Sequence, residues 1–166
     1  MSELEQSIEV NVPVSTAYNQ WTQFEDFPRF MEGVDKVHQL DDQTLHWVAS
    51  IAGVSREWDA KITEQTPDQR IAWTNIDGAK NAGVVTFHKL DDTTTKVMLQ
   101  LEFEPEGVAE QAADKLGIIR ARTRGDLERF KAFIESRGTE TGAWRGEIEQ
   151  DSGAGSSTPG GTTPIA

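Results

Sequence analysis

The sequence contains no cysteine among its 166 residues. Neither a disulfide framework nor a thiolate metal site can be built from it. It also has no apolar run of the length that crosses a bilayer. Basic residues are few: 16 Lys and Arg against 28 Asp and Glu leave a net charge of -12. A protein that tracks phosphates needs a basic stripe, so this balance argues against a nucleic-acid partner. It disfavours anionic membrane surfaces for the same reason. The first residues, "MSELEQSIEV", have neither the basic start nor the apolar stretch of a signal peptide, so a cytoplasmic protein is expected.

Catalytic signatures are missing too. No glycine loop is built to cradle phosphates. The residue order brings together no Ser–His–Asp set. The histidines His38 and His46 can lie side by side across a hairpin, but a zinc site needs a third ligand. His88 alternates out of phase with Phe87 and should face solvent. No metal and no cofactor are therefore expected.

What is present reads as one domain with a core. Hydrophobic residues make up 36% and the mean hydropathy is -0.54. "LEQSIEVNV" is a strand over Leu4–Val12, ended by Pro13. "VSTAYNQWTQF" is a short helix with Ser15 as N-cap. "FPRFM" is a second, with Pro28 in its first turn. Six strands follow: Val34–Leu40, Thr44–Ile51, Val54–Glu64, Arg70–Ile76, Gly83–Leu90 and Thr95–Phe103. Turn residues separate them: "LDDQT", "AG", "TPDQ", "DGAKNAG" and "LDDTT". Val108 to Arg137 forms one long helix, with Leu116, Thr123, Leu127, Phe130 and Ile134 near one stripe. Thirty residues at about 1.5 Å rise give roughly 45 Å, so a bend or frayed start is expected near Gly117. Beyond it, "DSGAGSSTPGGTTPIA" is too poor in apolar residues to order itself. The expected domain is 1–138 and the expected flexible tail 139–166, with Trp144 either docking back, binding a partner or lying exposed.

This order, with "SIEVNVPVSTAYNQW", "FEDFPRFMEGV", "REWDAKITEQTPDQRIAWTNIDG" and "GVVTFHKL…TKVMLQLEFEPEG", resembles the START-like (SRPBCC) superfamily, and within it the polyketide cyclase/dehydrase and coenzyme-Q-binding branch. The resemblance implies an α+β helix-grip fold: a curved antiparallel seven-stranded sheet wrapped around the long C-terminal helix, with two short helices after the first strand. It also implies a polyketide- or quinone-like ligand, in a carrier or in an aromatase-like cyclase.

Turn lengths fix register, and register fixes neighbours. A two-residue turn at Ala52-Gly53 sets Ala49 opposite Arg56 and Trp47 opposite Trp58. A turn at Thr66-Pro67 sets Ile62 opposite Ile71, Ala60 opposite Trp73, Trp58 opposite Asn75 and Arg56 opposite Asp77. Trp73 then faces Val85 and Ile71 faces Phe87. "LDDTT" sets Phe87 opposite Val97 and Val85 opposite Leu99. One end of this grid is dry and the other sparse and aromatic. The helix agrees, with small residues such as Ala113 in its first turns and large ones later.

Arg56 has the apolar phase of its strand. An unpaired buried guanidinium costs several kcal/mol, so it needs a partner. Either Asp77 supplies one as a structural ion pair, or Arg56 also reaches a ligand oxygen with its fixed donors. Asn75 either bonds loop backbone or contacts ligand. The tryptophans either fill the core or form a platform, and a buried indole N–H seeks a polar neighbour. The candidate ligand-binding residues are Trp47, Arg56, Trp58, Trp73, Asn75, Leu101, Ala113 and Leu116. The expected function is binding of a small hydrophobic molecule in an internal cavity. The alternative is a polyketide cyclase/dehydratase, in which Arg56 would polarise a carbonyl; no general base is evident for it.

Overall fold

The computed structural model describes residues 2–51, 54–76, 81–103 and 109–149. Strand β1 (Ser2–Val10) leads into helix α1 (Val14–Trp21) and a short 3-10 helix (Phe24–Arg29). Strands β2 (Val34–Gln39), β3 (Thr44–Ile51), β4 (Val54–Thr66), β5 (Arg70–Asn75), β6 (Asn81–Asp91) and β7 (Thr94–Phe103) follow. The long helix α2 spans Ala109–Arg137 and continues through Gly117. The strands form one curled antiparallel sheet in the order β1-β7-β6-β5-β4-β3-β2. The fold is the helix grip.

Two local readings change. Pro13, not Ser15, is the N-cap of α1, and no side chain caps that helix. Pro28 lies late in the 3-10 helix rather than in its first turn. Proline stays compatible there because the 3-10 segment is short and ends one residue later.

The β3–β4 pairs are those the two-residue turn requires: Ala49 opposite Arg56, Trp47 opposite Trp58, Leu45 opposite Ala60. The β6–β7 pairs also agree, with Phe87 opposite Val97 and Val85 opposite Leu99. The β4–β5 and β5–β6 registers differ from expectation by two residues. Ile62 faces Trp73 and Ala60 faces Asn75; Ile71 faces Val85 and Trp73 faces Gly83. The cause is local. Thr66 pairs with Arg70 across a three-residue turn, and a bulge falls between Ile62 and Glu64. Asp68 takes the left-handed conformation at φ 63 that such turns use. From Ile62 back towards Ala60 the slip of two keeps each side chain on its face, so the inward set there survives the change.

The core lies between the sheet and two helical layers. On α2, Thr123, Leu127, Phe130 and Ile134 are buried, which is the expected stripe; Leu116 lies outside the residues with described side chains. Trp21 packs edge-on against Phe130 with centroids 4.9 Å apart, and Tyr18 against Phe87 at 5.4 Å. Phe27 and Phe30 add further tilted ring contacts.

The chain does not leave the domain at Gly138. That residue ends α2 at φ 76, and residues 139–149 then pack back across α1 and the end of β4. Ile148 is buried and exchanges both backbone hydrogen bonds with Gln65, at 2.7 and 2.9 Å. Thr141 and Gln20 exchange two more, at 2.9 and 3.1 Å. Arg145 makes a bidentate pair with Asp68 (2.8 and 2.9 Å) and lies over the Tyr18 ring. Trp144 packs on the core and its backbone N–H donates to Thr22 Oγ1. This strap accounts for the buried polar residues Asn19 and Gln20 on α1 and Thr22 just after it, whose partners it supplies. The boundary expected at 138 therefore moves to at least Ile148. A glycine after a helix marks its end, not the end of packing.

Candidate functional site

Between the sheet, the short helices and α2 lies a cavity of about 160 Å³. Its sheet wall is Leu45 and Trp47 from β3, Trp58 and Ile62 from β4, Ile71 and Trp73 from β5, Asn81 from β6, and Leu99 and Leu101 from β7. Trp21, Phe24, Phe27 and Met31 close one side, and Thr123, Asp126 and Leu127 from α2 close another. The side chains alternate along each strand, so one residue in two faces inward and five adjacent strands give one continuous wall.

The aromatic part of that wall is ordered by pairing. Trp47 and Trp58 are directly opposite across β3–β4, and their rings are parallel within 1° at 6.0 Å between centroids. Trp47 also meets Phe27 at 5.7 Å. Its Nε1–H is buried and makes no hydrogen bond among the described residues. Trp73 lies over Gly83, where a Cβ would approach its Cζ2 to 2.5 Å.

Asp126 is the one ionisable side chain among the described lining residues. Its Oδ1 accepts from the Glu32 backbone N–H at 3.1 Å and from Arg129 Nη2 at 2.5 Å. Burial pushes its carboxyl above the usual aspartate value, and the Arg129 hydrogen bond only partly offsets this. The Thr123 hydroxyl, one turn earlier, donates to Ile119 O at 2.7 Å.

Of the residues expected at the site, Trp47, Trp58, Trp73 and Leu101 line the cavity. Arg56 does not. It is opposite Ala49 as expected, but its side chain is exposed, and Asp77 lies outside the described residues. Sharing the apolar phase near a strand end is not burial, because the wall stops before the strand does. Asn75 is half-buried and its Oδ1 accepts the Asn81 N–H at 2.9 Å, the backbone role weighed above. The side chains of Ala113 and Leu116 lie outside the described residues.

The strand pattern did not point to Trp21, Phe24, Phe27, Met31 or Asp126. Asp126 had a signal: Thr123, Asp126, Leu127 and Phe130 stand at i, i+3, i+4 and i+7, so a carboxylate occupies an inward helix position.

On the outer face, His38 pairs with His46 as expected. His46 is held by Asp59 at 2.7 Å and Glu57 at 3.0 Å. Among the described residues, no cluster of three or more His, Asp or Glu side chains could hold a metal ion. His88 is exposed. Among the described residues, no helix is long and apolar enough to cross a membrane.

The model of one family, described as polyketide cyclase / dehydrase and lipid transport, matches residues 10–132. The chain belongs to that family. It is 62% identical over 149 residues to an uncharacterized 17.2 kDa protein from the melC2-rnhH intergenic region of Streptomyces lincolnensis. That match covers 89% of this chain and 99% of the relative. Solved structures share the fold. The Zhui aromatase/cyclase from Streptomyces sp. R1128 superimposes with a TM-score of 0.74 at 15% identity, covering 86% of this chain and 99% of the other. A START superfamily protein from Mycobacterium smegmatis gives 0.61 at 15% identity, covering 76% and 97%.

Proposed function

We propose that the chain binds a small, mostly apolar, aromatic molecule inside this cavity. The observation that carries the reading is the wall itself: four tryptophans and a ring of aliphatic and phenylalanine side chains around about 160 Å³. Apolar walls with few convergent polar groups are the usual make-up of a small-molecule site. Trp47, Trp58 and Trp73 make binding visible as fluorescence quenching. A panel of flat aromatic compounds should quench in a saturable way, and Leu99→Trp, which fills the space, should abolish saturation without unfolding the protein. Failure of every compound to quench saturably would sink the reading.

A second reading, cyclisation or dehydration of a polyketide-like chain, is favoured by Asp126. An enzyme needs a titratable group beside its substrate, and this carboxyl lines the cavity with a raised pKa. It could take a proton from a carbon flanked by carbonyls. The family and the aromatase/cyclase neighbour suit this chemistry. Turnover of a poly-β-ketone analogue that Asp126→Asn abolishes would establish it; binding without turnover leaves the carrier reading.

A further inference from the structure

The cavity also limits what kind of molecule can enter. We propose that its ligand is a single-ring phenol, with the ring between the tryptophan wall and α2 and the hydroxyl donating to Oδ2 of Asp126. This rests on the binding reading above.

Volume sets the ring count. An apolar cavity of roughly 150 Å³ is known to hold benzene. At about 160 Å³ this one suits a single substituted ring. Three fused rings do not fit without moving the walls, and close-packed walls resist that.

The hydrogen-bond inventory sets the substituent. Asp126 Oδ1 already accepts two hydrogen bonds, and Oδ2 accepts none among the described residues. An ionised carboxylate only accepts, so a partner must donate. A ligand bearing only carbonyl oxygens would set lone pairs against lone pairs. The Thr123 proton is spent on Ile119 O. A carboxylic acid would ionise and be repelled. A protonated amine would lose its hydration while gaining little, because Arg129 already neutralises Asp126. A neutral hydroxyl on an aromatic ring meets every condition.

Titration calorimetry of the full chain with p-cresol, 4-methylanisole, toluene and 2-hydroxyanthracene tests this. The anisole has the same ring but no proton to donate. We expect p-cresol to bind at least tenfold tighter than 4-methylanisole, and 2-hydroxyanthracene not to bind. Asp126→Asn should weaken p-cresol at least tenfold, the scale of a hydrogen bond to a charged group, and leave toluene within twofold. Equal affinities for p-cresol and 4-methylanisole would overturn the proposal. So would tight binding of 2-hydroxyanthracene, or equal losses for p-cresol and toluene in the variant. If Asp126→Asn does not fold, the two wild-type comparisons decide alone. Binding of toluene with no advantage for p-cresol overturns only this inference; binding of none of the four overturns the cavity reading with it.

Discussion

Gly83 lies directly opposite Trp73 across β5–β6, and the Trp73 indole fills the space that a side chain at 83 would need. A Cβ there would also come within 2.9 Å of Leu101 Cδ2. Gly83→Ala must therefore displace the indole or Leu101, both of which line the cavity. Overpacking of this kind costs about 1–3 kcal/mol. Urea unfolding should show that loss, and the near-ultraviolet circular dichroism of the tryptophans should change. An unchanged spectrum and midpoint would mean that the indole does not rest on the glycine.

The dry end of the sheet makes a second prediction. Phe87 is buried, opposite Val97, with its ring edge-on to Tyr18 and Trp21. Phe87→Ala should cost about 3–5 kcal/mol, as buried phenylalanine truncations do. A loss near zero would contradict the packing.

The strap separates two truncations. Deleting residues 151–166 should leave the unfolding midpoint where it is, because that composition builds few contacts. Deleting 139–166 removes Ile148, Trp144 and Arg145 and uncovers Asn19, Gln20 and Thr22. It should lower the melting temperature by several degrees. Ile148→Ala in the full chain should cost about 2 kcal/mol. Equal midpoints for the two truncations would show that the strap is not held.

Two titrations report on the fold. The chain has one tyrosine, Tyr18, and burial pushes its pKa up to about 12. The nearby Gln65 amide opposes the shift, although hydroxyl and amide do not meet with hydrogen-bond geometry. The unfolded chain ionises near 10. Folding thus favours the protonated phenol, and this contribution is complete below about pH 10 and fades as pH rises towards 12. Absorbance at 295 nm should stay flat through pH 10 in the folded protein. A transition at 10 would place the ring in water.

His46 is raised above 6.5 by the hydrogen bonds that its protonated ring donates to Asp59 and Glu57. Its stabilisation is complete below about pH 6.5 and is lost as pH climbs through the raised folded value. Proton NMR should show His46 titrating later than a histidine in a free peptide. His46→Gln should remove that part of the pH dependence of stability between neutral and mildly alkaline pH.

Alternation and turn chemistry made the fold legible because a strand's faces depend only on parity. The β3–β4 and β6–β7 pairs could be read from "AG" and "LDDTT". The β4–β5 pairs could not, because a left-handed Asp68 and a bulge beyond Ile62 leave no clear mark in "TPDQ". Four cavity residues were legible for the same reason as the strands. Arg56 shares the inward phase but is exposed and is not among the described lining residues: phase gives the face of a strand, not how far the cavity extends along it. Arg56→Met should accordingly leave ligand affinity unchanged. Asp126 was overlooked because a helix stripe is judged by its apolar members, and the one charged member was the informative one.

The most direct test of the internal site is a methyl NMR titration with toluene. The methyl groups of Leu99, Leu101 and Leu127, which line the cavity, should shift together and saturate. Those of Val84, on the opposite face of the β6 strand from Val85, should not move. Saturable shifts confined to the cavity methyls are the predicted result. Shifts on the outer face, or none at any toluene concentration, would contradict it.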